Sequence, residues 1–236
     1  MNTLAIDTCD QRGSVTSRWD GRSVGLQIHG EQEYSSWLLP AVDRTLAEAR
    51  KSFADVSLLA VATGPGSFTG VRIGLCAVKA WSEVYGIKVV GVSRLEALAR
   101  TVTRDGWIAA SYDAHRGQLY AGLYHRACGK FERRGEDQVV SPDDFLTYVR
   151  KQSGGSVIRW ASLDPNLLVG LPSWQEEASD LHPLWPCVPH LANSIGEIAE
   201  EKAARGEFAD VLELDANYVR RSDAEIFWKG PADRAR

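Results

Sequence analysis

The sequence is short of the residues that most enzymes work with, and each shortage excludes a chemistry. Its four cysteines, Cys9, Cys76, Cys128 and Cys187, include no C-x-x-C pair, so the common zinc and dithiol motifs are absent. Thiols so widely separated suit a reducing cytoplasm better than a disulfide framework. None of the five histidines, His29, His115, His125, His182 and His190, stands four residues from another, so the helical two-histidine metal site is missing. No lysine follows Thr69-Gly70, where a Walker A loop needs Gly-Lys-Ser/Thr. Gly66-Ser67-Phe68-Thr69-Gly70 is one residue too long for the G-x-S-x-G elbow of serine hydrolases. There is no excess of basic charge: a net charge of −4 argues against a broad electrostatic grip on nucleic acid, though not against a local basic patch. No apolar run reaches the roughly 18 residues of a membrane span. Asp7 lies where a signal peptide would begin its apolar stretch, so none is expected. The expectation is a cytoplasmic protein without membrane association.

What the chain does have is an ordinary globular composition, 44% apolar and 25% charged over 236 residues. That length suits one large domain or two small lobes. Its centre is Thr63-Gly64-Pro65-Gly66-Ser67-Phe68-Thr69-Gly70. The uncharged run Leu58 to Ala62 leads into it and reads as a buried strand. A mostly apolar helical pattern follows, from about Val71 to Tyr85. The unit is strand, glycine loop, helix. Its third glycine comes one residue late for the G-x-G-x-x-G fingerprint. The loop therefore reads either as a tight turn without ligand or as an anion site formed by turn amides. In the second reading Asp7, Gly64, Gly66, Ser67 and Thr69 are the contacts.

The helix after the loop carries apolar or small residues on two faces. Gly70, Gly74, Val78 and Trp81 fall near one; Ile73, Ala77, Ala80 and Val84 fall on another. Such a helix is deep in a core or shared with a partner. Glycines four apart admit another backbone closely, at a cost of roughly 1 kcal/mol each in helix propensity. The sequence supports tight packing on the chain's own sheet or an intermolecular face, and the second is preferred.

Gly64 to Leu75, read as Gly-Pro-Gly-Ser-Phe-Thr-Gly-Val-Arg-Ile-Gly-Leu, resembles the signature of the TsaB (YeaZ) family, which takes part in making threonylcarbamoyladenosine in tRNA. Four further segments resemble the family in order: Ser36 to Pro40, Val90 to Ala99, Asp113 to Tyr120, and Tyr218 to Glu225. The resemblance implies a two-lobed α/β fold of the actin-like ATPase (ASKHA) type with a degenerate nucleotide site. Asp7-Thr8-Cys9 stands where that superfamily has Asp-x-Gly-Thr, and without the glycine a phosphate approaches less closely. The lobes are placed at 1–105 and 106–207, with the tail from about 208 to 236 packing back on the first.

The resemblance also implies a role. It makes the chain a non-catalytic scaffold for threonylcarbamoyl transfer to N6 of adenosine 37 in tRNAs reading A-starting codons. The partners are a TsaD-type subunit, a TsaE-type ATPase through the complex, and tRNA through the complex, with a homodimer for the chain alone. No catalytic residue, metal or cofactor is assigned to this chain; ATP/ADP and metal are expected on the partner complex. The interface is assigned to Trp37, Leu38, Val42, Gly70, Val71, Arg72, Gly74, Leu75, Val78 and Trp81. The rival readings are an ATP-dependent transferase or kinase using the 64–70 loop, and a peptidase.

Along the rest of the chain, strands are read at Leu4 to Asp7, Gly13 to Trp19 and Ser23 to His29, the last two joined by an Asp20-Gly21 turn. A helix is read from about Ser35 to Ala49, and a strand from Val89 to Val92 leads into a helix capped by Ser93. Paired strands are expected at Trp107 to Tyr112 and Leu119 to His125, joined by a loop with Asp113, His115 and Arg116 that reads as solvated. Lys130 to Arg134 reads as an exposed connection. Ser141-Pro142 opens a helix and Leu191 to Arg205 forms another, while Leu163 to Pro189 stays unassigned.

Overall fold

The computed structural model describes residues 1–175 and 183–219. It opens with a meander, β1 (Thr3–Asp7), β2 (Ser14–Trp19) and β3 (Arg22–Ile28). Asp20 and Gly21 both have positive φ, 48° and 75°, the turn that matches the twist of a hairpin. Helix α1 (Tyr34–Glu48) then precedes β4 (Leu58–Ala62), α2 (Phe68–Tyr85), β5 (Lys88–Val92) and α3 (Arg94–Arg100). The second half repeats the plan. A meander of β6 (Gly106–Asp113), β7 (Leu119–Ala127) and β8 (Lys130–Arg133) is followed by β9 (Gln138–Val140), α4 (Pro142–Ser153) and β10 (Ile158–Ser162). Two short helices, α5 (Asn166–Val169) and α6 (Pro172–Gln175), the strand β11 (Leu184–Trp185) and α7 (Ala192–Ala204) complete it.

The first sheet has the order β3-β2-β1-β4-β5 and the second β8-β7-β6-β10-β11, with β9 added beside β7. In each, the central strand pairs antiparallel with the meander on one side and parallel with the later strands on the other. The two halves are therefore the same topology twice, and each central strand ends in an aspartate, Asp7 or Asp113. Helices α3 and α7 lie between the sheets, α3 against β6 and β7, and α7 against β1, β2, β4 and β5. One apolar core runs through this layer from Ile6 and Leu59 to Ile198, Ile108 and Tyr124. A second core, built on Phe145, Trp160 and Trp174, lies within the second half. Helices α1 and α2 cover the other face of the first sheet.

Three expectations need correction. Helix α7 falls inside 106–207 yet packs on the first sheet, so the chain crosses back before Ala192 rather than near 207. Lys130 to Arg133 is not a bare connection but the edge strand β8, whose alternate exposure hid its pairing with β7. Helix α2 begins at Phe68, not Val71, because the Ser67 hydroxyl caps it by accepting the Gly70 N–H at 3.3 Å. As far as Val219 the tail is hydrogen-bonded to the first sheet at two points. The Ala209 N–H donates to the Val89 carbonyl and the Asn217 N–H to the Thr63 carbonyl, covering the open edge of β5. Arg220, Arg221 and the rest of the closing segment, like His182, lie outside the described residues.

Candidate functional site

The glycine loop between β4 and α2 is the meeting point of the molecule. A Cβ at Gly66 would collide with the Cys9 carbonyl, and one at Gly70 with the Thr8 carbonyl. One at Gly74 would sit 2.5 Å from the Thr8 hydroxyl, which itself donates to the Gly70 carbonyl at 2.7 Å. The glycines thus admit the turn that follows β1. The Ser67 N–H donates to the Cys9 carbonyl at 2.6 Å and the Arg94 N–H to the Gly64 carbonyl at 2.8 Å. From the second sheet, the Tyr112 hydroxyl donates to the Pro65 carbonyl at 2.7 Å and Tyr120 to Gly66 at 3.3 Å.

Beside this loop lies a buried charge network. The Arg94 side chain, fully buried, donates from Nε to Asp7 at 2.9 Å and from its two terminal nitrogens to Asp10 at 2.8 and 2.7 Å. Its guanidinium also lies 4.7 Å from the centre of the Tyr112 ring. Arg12 continues the chain of charge, from Asp10 at 2.7 Å to Asp164 at 2.9 Å. Asp164 in turn accepts the Asp113 N–H at 2.8 Å. Burial pushes the Asp10 carboxyl up, but Arg94 and Arg12 outweigh it and hold it below the usual carboxylate range. Burial, with Asp7 beside it, raises the Cys9 thiol well above an ordinary cysteine, which disfavours the reactive thiolate.

The network lines one wall of a cleft of about 780 Å³ between the halves. Gly66, Ser67, Phe68, Tyr34 and Tyr218 border it on one side and Tyr120, Asp113 and His115 on the other. Of the residues read as anion contacts, Gly66 and Ser67 border the cleft. Asp7 does not: it is fully buried under Arg94. The Asp113-His115-Arg116 loop is the solvated turn the sequence suggests, with His115 at 83% side-chain exposure. Among the described residues no cluster of His, Cys, Asp and Glu is disposed to hold a metal ion.

The second candidate surface is the outer side of α1 and α2. Of the residues assigned to a partner interface, Trp37, Leu38, Val42, Gly70, Val71, Gly74, Leu75 and Val78 are buried in the chain's own core. Only Arg72 and Trp81 reach outward. The glycine-bearing face turns inward because it alone is thin enough to take Thr8 against it. The other face is the more open one: Ala80 and Val84 are exposed, Val84 at 73%, while Ile73 and Ala77 are half-buried against the core. Leu39 on α1 is 57% exposed. Trp81 leans on Phe53 at 5.1 Å. At the other end of α2, Arg72 stacks on Phe68 at 3.7 Å and donates to the Tyr218 hydroxyl at 2.7 Å, tying the tail down. Sequence reasoning recognised both faces and preferred the one that the chain packs against its own core. Arg94 was missed altogether, since nothing in its neighbourhood marks a buried arginine.

Residues 29–172 match the family model described as TsaD: tRNA N6-adenosine threonylcarbamoyltransferase. Over nearly full length, 97% of this chain and 98% of the relative, the sequence is 30% identical to the tRNA threonylcarbamoyladenosine biosynthesis protein TsaB of Bacillus subtilis strain 168. The structure of YeaZ from Pseudomonas aeruginosa superposes with a TM-score of 0.73 at 25% identity, covering 92% of this chain and 99% of that one. The activator of 2-hydroxyisocaproyl-CoA dehydratase from Clostridium difficile, with bound ADPNP, matches at a TM-score of 0.50 and 10% identity, over 89% of this chain and 99% of that one. That likeness concerns the fold alone, and the fold is the actin-like ATPase type expected from the sequence. The shorter model match defines a domain shared with TsaD, whereas the end-to-end match is to TsaB: the chain belongs to the TsaB (YeaZ) family of tRNA threonylcarbamoyladenosine biosynthesis proteins.

Proposed function

We propose that this chain is the non-catalytic partner of a TsaD-type threonylcarbamoyl transferase and docks on it through the open side of α1 and α2. The observation that carries the reading is the apolar stripe Ile73-Ala77-Ala80-Val84 on a helix whose other face is fully packed: Ala80 and Val84 are exposed, and Ile73 and Ala77 are half-buried beside them. A stripe of that kind has the character of an interface core. The isolated chain uses the same stripe to pair with a second copy, in competition with the transferase. ATP or ADP, metal and tRNA are handled by the assembled complex, which a TsaE-type ATPase joins through it. Supporting this division of labour, the cysteine, serine and aspartate nearest the glycine loop are engaged in internal bonds: Cys9 is buried, Ser67 caps α2 and Asp7 pairs with Arg94.

The test is an Ala80→Arg variant in a binding assay against the TsaD-type subunit. Ala80 is exposed, so the fold is retained, and a lone charge pressed into an apolar contact weakens association by about tenfold or more. Unchanged affinity with an intact circular-dichroism spectrum removes the proposed face. Gly74→Arg does not serve for this test, because Gly74 is packed against Thr8 and the variant loses its fold before it loses a partner.

A further inference from the structure

The fold type of this chain carries a nucleotide cleft, but the residues present do not fit a nucleotide with its metal. Asp7, the aspartate at the end of the first strand, lies under a guanidinium. The turn after it, Thr8-Cys9, is pressed against Gly66 and Gly70 with no room for a phosphate between them. The ionised groups bordering the cleft include three carboxylates, Asp10, Asp113 and Asp164, against Arg12, a balance that repels a polyphosphate.

From these contacts we infer that the cleft is a fixed structural joint, in which Arg12 and Arg94 hold the two halves at one separation in place of a ligand. Arg12 stands in the turn between β1 and β2 and reaches across to Asp164 and the Leu163 carbonyl, both at the end of β10 in the second half. Both terminal nitrogens of Arg12 engage Asp164, at 2.9 and 3.1 Å. Arg94 grips Asp7 and Asp10 in the first half and faces Tyr112 of the second, whose hydroxyl closes on the glycine loop. A two-toothed guanidinium–carboxylate pair sets direction as well as distance, so the joint fixes an angle and not merely a contact. The cross-links over the cleft belong to the chain itself. The inference is independent of the docking proposal, since it concerns the opposite side of the signature loop.

Hydrogen–deuterium exchange on the full-length chain tests it. Arg12→Ala, and separately Asp164→Ala, accelerates exchange about fivefold in peptides covering 8–14, 63–67 and 111–114, while α7 exchanges as in the parent. The double variant is no faster than either single one, because the two act as one unit. Raising the salt concentration on the unmodified chain accelerates the same peptides, as screening of a partly exposed pair requires, so the inference stays testable even if a variant misfolds. Adding magnesium and ATP leaves them unchanged. Unaltered exchange in both single variants overturns the joint, as do additive effects in the double variant, the absence of any salt response, or protection of the 63–67 peptide by magnesium and ATP.

Discussion

Arg94 is the residue on which the interior depends most. Its guanidinium is wholly buried and so is Asp7 beneath it. Removing one member of a buried pair strands the other, at a cost of about 3–5 kcal/mol. Arg94→Ala is expected to lower the unfolding free energy by that amount, read from urea titration; a loss below about 1 kcal/mol means the pair is wetter than its burial implies. Asp10 predicts an acid limb. Its folded-state pKa is depressed by Arg94 and Arg12 against the opposing push of burial. A depressed carboxyl contributes stability that is present above its unfolded pKa of about 3.9 and is lost as pH falls through the folded value. The urea midpoint therefore drops below about pH 4, and Asp10→Asn, already without the pair, shows a shallower drop over the same range.

At the scale of the element, α2 shows where periodicity informs and where it stops. Spacing along Val71 to Tyr85 identifies the helix and both its apolar faces. It does not say which face turns in, since glycine and alanine stripes have similar hydropathy. Only the Thr8 hydroxyl, lodged against Gly74, distinguishes them. Gly74→Ala makes a test of this. Helix propensity alone favours the alanine by up to about 1 kcal/mol, but its methyl group enters a filled space, and overpacking costs about 1–3 kcal/mol. A lower melting temperature is expected; a higher one means the contact at Thr8 relaxes freely. The first meander, the β6–β7 pair, α1, α3, α4 and α7 were legible within a few residues because turn pairs, caps and apolar runs mark them locally. β8, β9 and the two short helices were not, for they are three or four residues long and take their shape from neighbours.

For the molecule as a whole, the tail to Val219 closes what would otherwise be an open sheet edge. Leu214, 9% exposed, rests against Gly91 of β5, where a Cβ would come within 3.0 Å of it. Leu214→Ala is expected to cost about 2 kcal/mol in a urea titration. Truncation after Glu207 is expected to produce concentration-dependent aggregation, measured by light scattering, because β5 then exposes its unpaired backbone groups. The sequence by itself determined the order of the longer strands and helices, the glycine loop as the organising point, the family, and the absence of common catalytic motifs, because each is written in local spacing and in motifs a few residues long. Tertiary structure alone decided that the glycines serve the chain's own β1 turn, that α7 returns to the first sheet, that the halves share one topology, and that Arg12 crosses the cleft while Arg94 is buried beside it. Those facts rest on contacts between residues up to about 190 positions apart, and no local pattern encodes which distant atom fills a given space.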